Sequence, residues 1–252
     1  ILSEAKKLQI PTICIQEGVL DFISQGSQRM KIADFAFIQG EIMRQYLERP
    51  RIVVTGNPKY DELDILPLPE TPTIMINSNF TYGVFENARN EWVSGVIDAC
   101  REANTQFFIS KHPRDNGIFP TGVEVVESNA FSIRDQLQRS TILITRFSTT
   151  IYEAVASGRE VIYYNPHDEN FGLLSSDETE TILYAKTVDE LQLAINKAMS
   201  KYSQENNSRR EAFLRLHIGT LNKDSVDMCV RAISDVVNKN QISSSQLLNL
   251  FY

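Results

Sequence analysis

Residues 141–154 read TILITRFSTTIYEA, an apolar run followed by a hydroxyl-rich turn and the start of a helical pattern. The apolar run at residues 141–145 is typical of a strand that is buried on both faces of a parallel sheet. Residues 149–156 predict a helix that begins just beyond the carboxyl end of this strand. Open α/β sheets bind ligands at that end, and the first turn of a helix offers unpaired N–H groups to anions. The stretch therefore predicts a fold class and a position for the functional site.

Apolar strands and amphipathic helices alternate along nearly the whole chain. Further strands are predicted at residues 12–16, 34–38, 52–55, 73–77, 106–110, 123–127, 161–165 and 182–185. Further helices are predicted at residues 86–103, 132–139 and 188–202. This alternation predicts an α/β fold built on an open, doubly wound parallel sheet.

A proline-rich segment divides the sequence. Residues 56–72 read GNPKYDELDILPLPETP, and we expect a linker there because proline fixes φ and cannot donate to a sheet ladder. The linker separates an N-terminal piece, residues 1–55, from a fuller domain at residues 73–240. Residues 241–252 form a C-terminal tail. The chain begins at Ile1 in what reads as the end of a helix, so we expect that an N-terminal portion has been removed.

The composition restricts the class of protein. Hydrophobic residues make up 42% and charged residues 23%, as in an ordinary soluble globular protein. The net charge of −7 disfavours broad nucleic-acid binding, which needs a surface that neutralises phosphates. The three cysteines, Cys14, Cys100 and Cys229, are far apart and lack metal-ligand spacing, so we expect a reducing, cytoplasmic setting. No apolar run reaches the roughly 18 residues of a membrane span.

The turn between the strand at 141–145 and the next helix carries groups suited to phosphate. Ser148, Thr149 and Thr150 can donate hydroxyl hydrogen bonds beside the N–H groups of the helix start, and Arg146 can add charge. Glu153, one turn into the helix, can accept hydrogen bonds from ribose hydroxyls. Serine and threonine are also the usual helix caps, and an acid near a helix start complements the dipole. A purely structural role therefore stays open.

A second loop, KHPRD, directly follows the predicted strand at residues 106–110. His112 can donate to a phosphate, and Lys111 and Arg114 can supply positive charge. A His-Pro dipeptide alone is weak evidence. Two such loops after parallel strands are stronger evidence, because the carboxyl ends of parallel strands meet at one edge of the sheet.

Other loops offer less specific candidates. Asn77, Ser78 and Asn79 follow the first strand of the larger domain and can border a donor or an acceptor, or form an ordinary polar loop. Glu17 follows the first strand of the N-terminal piece and can act as a general base, touch an acceptor, or be a solvated loop acid. His167 precedes two acids, but the spacing matches no metal motif, so we expect no metal. His217 lies among apolar residues, which predicts a packed position near a helix end.

Taken together, these residues resemble the GT-B glycosyltransferase superfamily, specifically capsule-polysaccharide transferases and CDP-glycerol glycerophosphotransferase-like enzymes. The shared features are an HP loop, a strand, a Ser/Thr turn, a helix with an acid, and a Gly-[Lys/Arg]-x-Val-Ile-x-Tyr strand. In this chain they are Lys111-His112-Pro113, residues 141–145, Ser148-Thr149-Thr150, Glu153 and residues 158–164. The resemblance covers roughly residues 10–235. It implies a Rossmann-like donor-binding domain and a partial second Rossmann-like domain at the N-terminus.

The resemblance also implies roles for individual residues. His112, Ser148 and Thr149 would bind the nucleotide phosphates, and Glu153 would lie near the ribose. The HP loop with a Ser/Thr turn favours a cytidine nucleotide, with a uridine nucleotide as the alternative. The family's catalytic base usually lies in the acceptor-binding domain, most of which we expect to be missing from this sequence, and Glu17 is the candidate for it.

The expected function is transfer of a sugar or alditol phosphate from a CMP-, CDP- or UDP-linked donor to a bacterial capsule polysaccharide, teichoic-type polymer or lipid-linked acceptor. No cofactor is expected, since the nucleotide-activated donor is itself the substrate. Such transfer places the protein in the cytoplasm, at the inner face of the cell membrane. Two alternatives stay open, namely a nucleotide-sugar 2-epimerase and a non-catalytic nucleotide-binding or assembly module.

Overall fold

The computed structural model describes residues 2–18, 25–47, 51–81, 85–129, 132–169, 174, 179–201, 207–219 and 222–239. The strands are β1 (Ile13–Ile15), β2 (Phe35–Ile38), β3 (Arg51–Val54), β4 (Thr73–Ser78), β5 (Gln106–Lys111), β6 (Val125–Glu127), β7 (Ile142–Thr145), β8 (Glu160–Tyr164) and β9 (Ile182–Ala185). The helices are α1 (Leu2–Lys7), α2 (Gln25–Ile32), α3 (Arg89–Glu102), α4 (Ile133–Gln138), α5 (Thr150–Ala156), α6 (Val188–Lys201), α7 (Asn207–Ile218) and α8 (Ser225–Lys239). Short 3-10 helices lie at Glu41–Tyr46, Pro58–Tyr60 and Glu86–Ala88.

The chain forms two compact units. One contains the described residues of Ile1–Glu62 and Leu214–Tyr252, and the other contains those of Leu63–Asn170 and Leu174–Phe213. The predicted boundaries at residues 55, 72 and 240 stay predictions. The tail predicted at residues 241–252 lies outside the described residues.

The first unit contains a parallel sheet in the order β1-β2-β3. The start of α8 packs close to the end of this sheet. A Cβ added to Gly56, whose φ is +70°, would lie 2.3 Å from the Ser225 hydroxyl. The same contact region includes Asp61, which accepts the Val226 N–H at 3.4 Å. Only glycine therefore fits at position 56.

The second unit contains a parallel sheet in the order β6-β5-β4-β7-β8-β9. Renumbered within the unit, this is the strand order 3-2-1-4-5-6 of a doubly wound dinucleotide-binding fold. The order of the chain through the sheet reverses between β4 and β7. In open α/β sheets, ligands bind at the carboxyl ends of the strands beside this reversal, the topological switch point.

Helix α3 covers one face of the second sheet. Trp92, the single tryptophan of the chain, is 1% exposed, and its indole N–H donates to the Tyr164 carbonyl at 3.0 Å. Val96 and Ala99 lie one and two turns further along α3, in the same core cluster as Ile74 and Ile76 of β4. The apolar face of this helix accounts for the helical spacing in the sequence.

The structure confirms the predicted α/β fold with parallel sheets. All nine predicted strands are present among the described residues, with ends within two residues of the prediction. The helix predicted at residues 86–103 begins with the 3-10 turn Glu86–Ala88 before α3. His217 is buried in α7, as predicted. None of the described helices combines the length and the apolar character that crossing a bilayer requires.

Candidate functional site

Asn77 links the two strands on either side of the switch point. It pairs in register with Thr145, and its amide donates to the Thr145 hydroxyl at 3.0 Å and to the Ser148 hydroxyl at 3.1 Å. Ser148 in turn accepts the Thr150 N–H at 3.2 Å, at the first residue of α5. One amide on β4 thus fixes the turn that precedes the helix.

Asn79 adds a second link to the same turn. Its amide donates to the Phe147 carbonyl at 2.5 Å. Asn77 and Asn79, predicted to border a donor or acceptor, therefore both hold the turn at residues 145–148. Ser148, Thr149 and Thr150 remain half-buried, while Glu153 on α5 is buried.

The loop after β5 is tied to the end of β4. The His112 N–H donates to the Ser78 carbonyl at 2.8 Å. The Nδ1 atom of the His112 ring accepts the Arg114 N–H at 3.1 Å. Because Nδ1 is an acceptor, the neutral ring carries its proton on Nε2, where it can donate to a ligand.

The His112 ring is held in its neutral form. Burial lowers its pKa below the ordinary value, and the nearby positive charge of Arg114 lowers it further, while Asp115 acts in the opposite direction. At neutral pH the ring is therefore a hydrogen-bond donor without a full charge. Lys111 and Arg114 supply charge in the same loop, although Lys111 also contacts Glu127 at 3.3 Å.

Two residues that the sequence did not single out hold this loop. Asp115 is fully buried, and its carboxylate accepts hydrogen bonds from the Ser78 hydroxyl, from Arg89 Nε at 2.6 Å and from the Gly117 N–H at 2.9 Å. The Asp-x-Gly spacing of residues 115–117 is a known turn signal, in which the aspartate accepts the N–H two residues on. That pattern could have identified Asp115. Nothing in the local sequence pairs it with Arg89.

Arg146 has a carboxylate partner of its own. Its Nε lies 2.5 Å from Glu169 Oε1, and the two side chains are 4% and 2% exposed. The guanidinium also lies 4.4 Å from the centre of the Phe80 ring. Burial raises the pKa of Glu169, while Arg146 and the Phe147 N–H lower it. The predicted contact of Arg146 with phosphate stays a prediction.

The remaining candidates lie elsewhere. Glu17 belongs to the first unit, where its side chain is exposed and its carbonyl accepts the Asn57 amide at 3.2 Å. Its role as a base stays a prediction. His167 stacks on Phe85, with ring centres 6.1 Å apart. Among the described residues, no group of three or more His, Cys, Asp or Glu side chains could hold a metal ion.

The chain matches no family model and no curated protein sequence. Solved structures do resemble it. A putative UDP-N-acetylglucosamine 2-epimerase from Listeria monocytogenes is 14% identical, with a TM-score of 0.65 over 96% of this chain and 71% of that one. The UDP-GlcNAc 2-epimerase of Methanocaldococcus jannaschii, in complex with UDP-GlcNAc and UDP, is 15% identical, with a TM-score of 0.59 over 92% and 71%.

The third structure is the wall teichoic acid polymerase TagF with CDPG, which is 13% identical, with a TM-score of 0.57 over 92% of this chain and 70% of that one. The chain has a GT-B, Rossmann-like fold. At these identities the likeness establishes the fold alone. The reaction has to be inferred from the site.

Proposed function

We propose that the second unit binds a nucleotide-activated donor at the end of β4, and that the protein transfers its sugar or alditol phosphate to a polysaccharide or lipid-linked acceptor. The observation that carries the proposal is the attachment of two polar loops to consecutive residues of β4. Asn77 bonds the Ser148 turn, and Ser78 bonds the His112 loop. Both loops therefore flank the switch point, where doubly wound folds bind nucleotides.

The groups at this position suit a diphosphate. The Nε2–H of neutral His112 and the hydroxyls of Ser148, Thr149 and Thr150 can donate hydrogen bonds, and Arg114 adds positive charge. In the reaction, an acceptor oxygen forms a bond to the donor's activated carbon or phosphorus. The bond to the nucleotide breaks, and the nucleotide leaves with the electron pair. Donors fixed in advance around its phosphates stabilise the charge that develops there.

A cytidine donor is the preferred form of this proposal. The resemblance of the HP loop and Ser/Thr turn to transferases that use cytidine-linked donors supports it, and so does the similarity to TagF with CDPG. Buried Glu153 is proposed to contact the ribose. Glu17 in the first unit is proposed as the base that takes the acceptor's proton. A cytoplasmic position at the inner face of the membrane, where such acceptors are made, belongs to the same proposal.

The second candidate is a nucleotide-sugar 2-epimerase, which two similar solved structures favour. Epimerisation removes a proton from the sugar carbon and returns it to the other face, so it needs acid and base groups beside the sugar. In the second unit, His112 and His167 are the histidines at strand ends that could serve. Incubation with UDP-GlcNAc and no acceptor separates the candidates, because only an epimerase forms a new sugar without releasing nucleotide.

Calorimetric titration with CMP, CDP, UMP and UDP tests the donor site. We expect binding that prefers cytidine and that weakens at least 10-fold in His112→Ala and Ser148→Ala. His112→Gln keeps an N–H donor near the Nε2 position and should retain more affinity than the alanine variant. Ser200→Ala, an exposed serine on α6 in the same unit, is the matched control and should bind as the wild type does. Absence of binding by every nucleotide would contradict the proposal and favour a non-catalytic module.

A further inference from the structure

A buried carboxylate closes the loop that carries His112. Asp115 accepts hydrogen bonds from three donors, the Ser78 hydroxyl, Arg89 Nε and the Gly117 N–H. Its own N–H donates to the His112 carbonyl at 2.9 Å. The carboxylate thus connects the end of β4 with the first residue of α3 and with Gly117, while the backbone N–H of Asp115 closes the turn that begins at His112.

Arg89 is enclosed by the chain that follows Asp115. Its Nη1 donates to the Ile118 carbonyl at 3.1 Å, and its guanidinium lies 4.3 Å from the centre of the Phe119 ring. A Cβ added to Gly117 would lie 1.9 Å from the guanidinium carbon. The segment therefore fits closely around one side chain, and glycine at position 117 leaves the space for it.

The pairing has an electrostatic consequence for a phosphate site. A lone carboxylate three residues from His112 would repel an anionic ligand and raise the pKa of the ring. Arg89, which is 5% exposed, offsets part of that charge at a contact of 2.6 Å, although Asp115 still acts to raise the pKa of His112. The loop is thereby held firmly by a charged group without gaining a net negative charge.

We propose that Asp115 and Arg89 are positioning residues that fix the His112 loop for the nucleotide phosphates. This inference rests on the proposed function for its ligand. Neither residue touches the ligand in this scheme. They act through His112, by fixing its backbone and by keeping the charge beside its ring balanced.

The test measures the pKa of His112 by NMR titration, together with nucleotide affinity, in Arg89→Met, Asp115→Asn and the double variant. Arg89→Met should raise the pKa, Asp115→Asn should lower it, and the double variant should lie between them. Both single variants should lose affinity about 10- to 100-fold. The exposed pair Arg139 and Glu124, in contact at 2.8 Å, is the matched control, and Arg139→Met should change neither quantity.

The affinity of Asp115→Asn separates positioning from simple electrostatics. This variant adds net positive charge to the loop, so a purely electrostatic role would strengthen nucleotide binding. Unchanged or tighter binding would overturn the inference, and so would a His112 pKa that responds to neither substitution. If the wild type binds no nucleotide but the His112 pKa shifts in opposite directions, the link to His112 is supported and the proposed function is the part that fails.

Gly117→Ala tests the same link without changing any charge, should the charged variants fail to fold. The added methyl group must displace the Arg89 guanidinium, so we expect a shift of the His112 resonances and at least 3-fold weaker binding. Thr121→Ala, at an exposed position in the same loop, is the control and should leave both unchanged. Equal behaviour of the two variants would overturn the inference.

Discussion

Replacement of Arg146 by methionine should destabilise the second unit strongly, because it leaves Glu169 buried without its partner. The two side chains are 4% and 2% exposed and meet at 2.5 Å. Removal of one member of such a pair typically costs about 3–5 kcal/mol, whereas replacement of both can be close to neutral. We therefore expect Arg146→Met to cost at least about 3 kcal/mol and the further change Glu169→Gln to recover much of it.

The cost should depend on pH in a definite direction. Burial already raises the pKa of Glu169, and Arg146 holds it down. Without the arginine, the pKa rises further, so the folded variant binds a proton at pH values where the unfolded chain does not. The free energy of unfolding of Arg146→Met should therefore rise as pH falls towards the pKa of the unfolded carboxyl group. The penalty should be larger at pH 8 than at pH 5.

Urea unfolding followed by tryptophan fluorescence measures this effect, because the single tryptophan, Trp92, lies in the core of the same unit. With a slope of about 2 kcal/mol per molar urea, a loss of about 3 kcal/mol lowers the midpoint by about 1.5 M. Lys186→Met, which breaks the exposed contact to Asp168, is the control and should not move the midpoint measurably. A midpoint for Arg146→Met that matches the control, or one equally low at both pH values, would refute the reasoning.

Three further predictions concern single positions. Affinity for a nucleotide sugar should increase at least about 3-fold from pH 8 to pH 5.5 as His112 takes up a proton, because the diphosphate diester itself does not titrate in this range. Calorimetry on His112→Gln should show no such change. Cys100 should resist iodoacetamide at pH 8 until urea is added, because burial raises its thiol pKa to about 12, as peptide mapping can check. Gly56→Ala should lower the thermal midpoint in circular dichroism by several degrees more than Gly122→Ala, because only the former brings a Cβ against Ser225.

The fold could be predicted because the pattern of apolar residues in the sequence follows the burial of each strand and helix. All four residues of β7 are buried, so an unbroken apolar run was the correct signal for a strand covered on both faces. The limits of the elements were harder to predict. Strand β6 begins at Val125 rather than at residue 123, because the pairing with Ile109 starts at Val125. The residue at which a strand begins depends on its pairing with the neighbouring strand, and the local sequence does not show it.

The position of the candidate site followed from the same reasoning, but its internal contacts did not. The carboxyl ends of parallel strands lie at one edge of the sheet, so the sequence alone predicted that His112 and Ser148 share that edge. The partner of Arg146 could not be predicted, because Glu169 lies 23 residues further along the chain and is brought near only by the folding of β8. The contact between Arg89 and Asp115 could not be predicted either, because the two residues are 26 positions apart.

The end of β4 shows why two short loops can be held so closely. Side chains alternate along a strand, so those of consecutive residues lie on opposite faces of the sheet. Ile74 and Ile76 belong to the core cluster that includes α3. Ser78 continues their series and donates to Asp115, which also accepts from Arg89 at the start of that helix. Asn77 belongs to the other series and bonds the turn before α5. Because the fold winds in opposite directions from β4, one strand end reaches both loops. Exchange of these two residues should break both side-chain links, whereas the backbone bond from the His112 N–H to the carbonyl of residue 78 should remain.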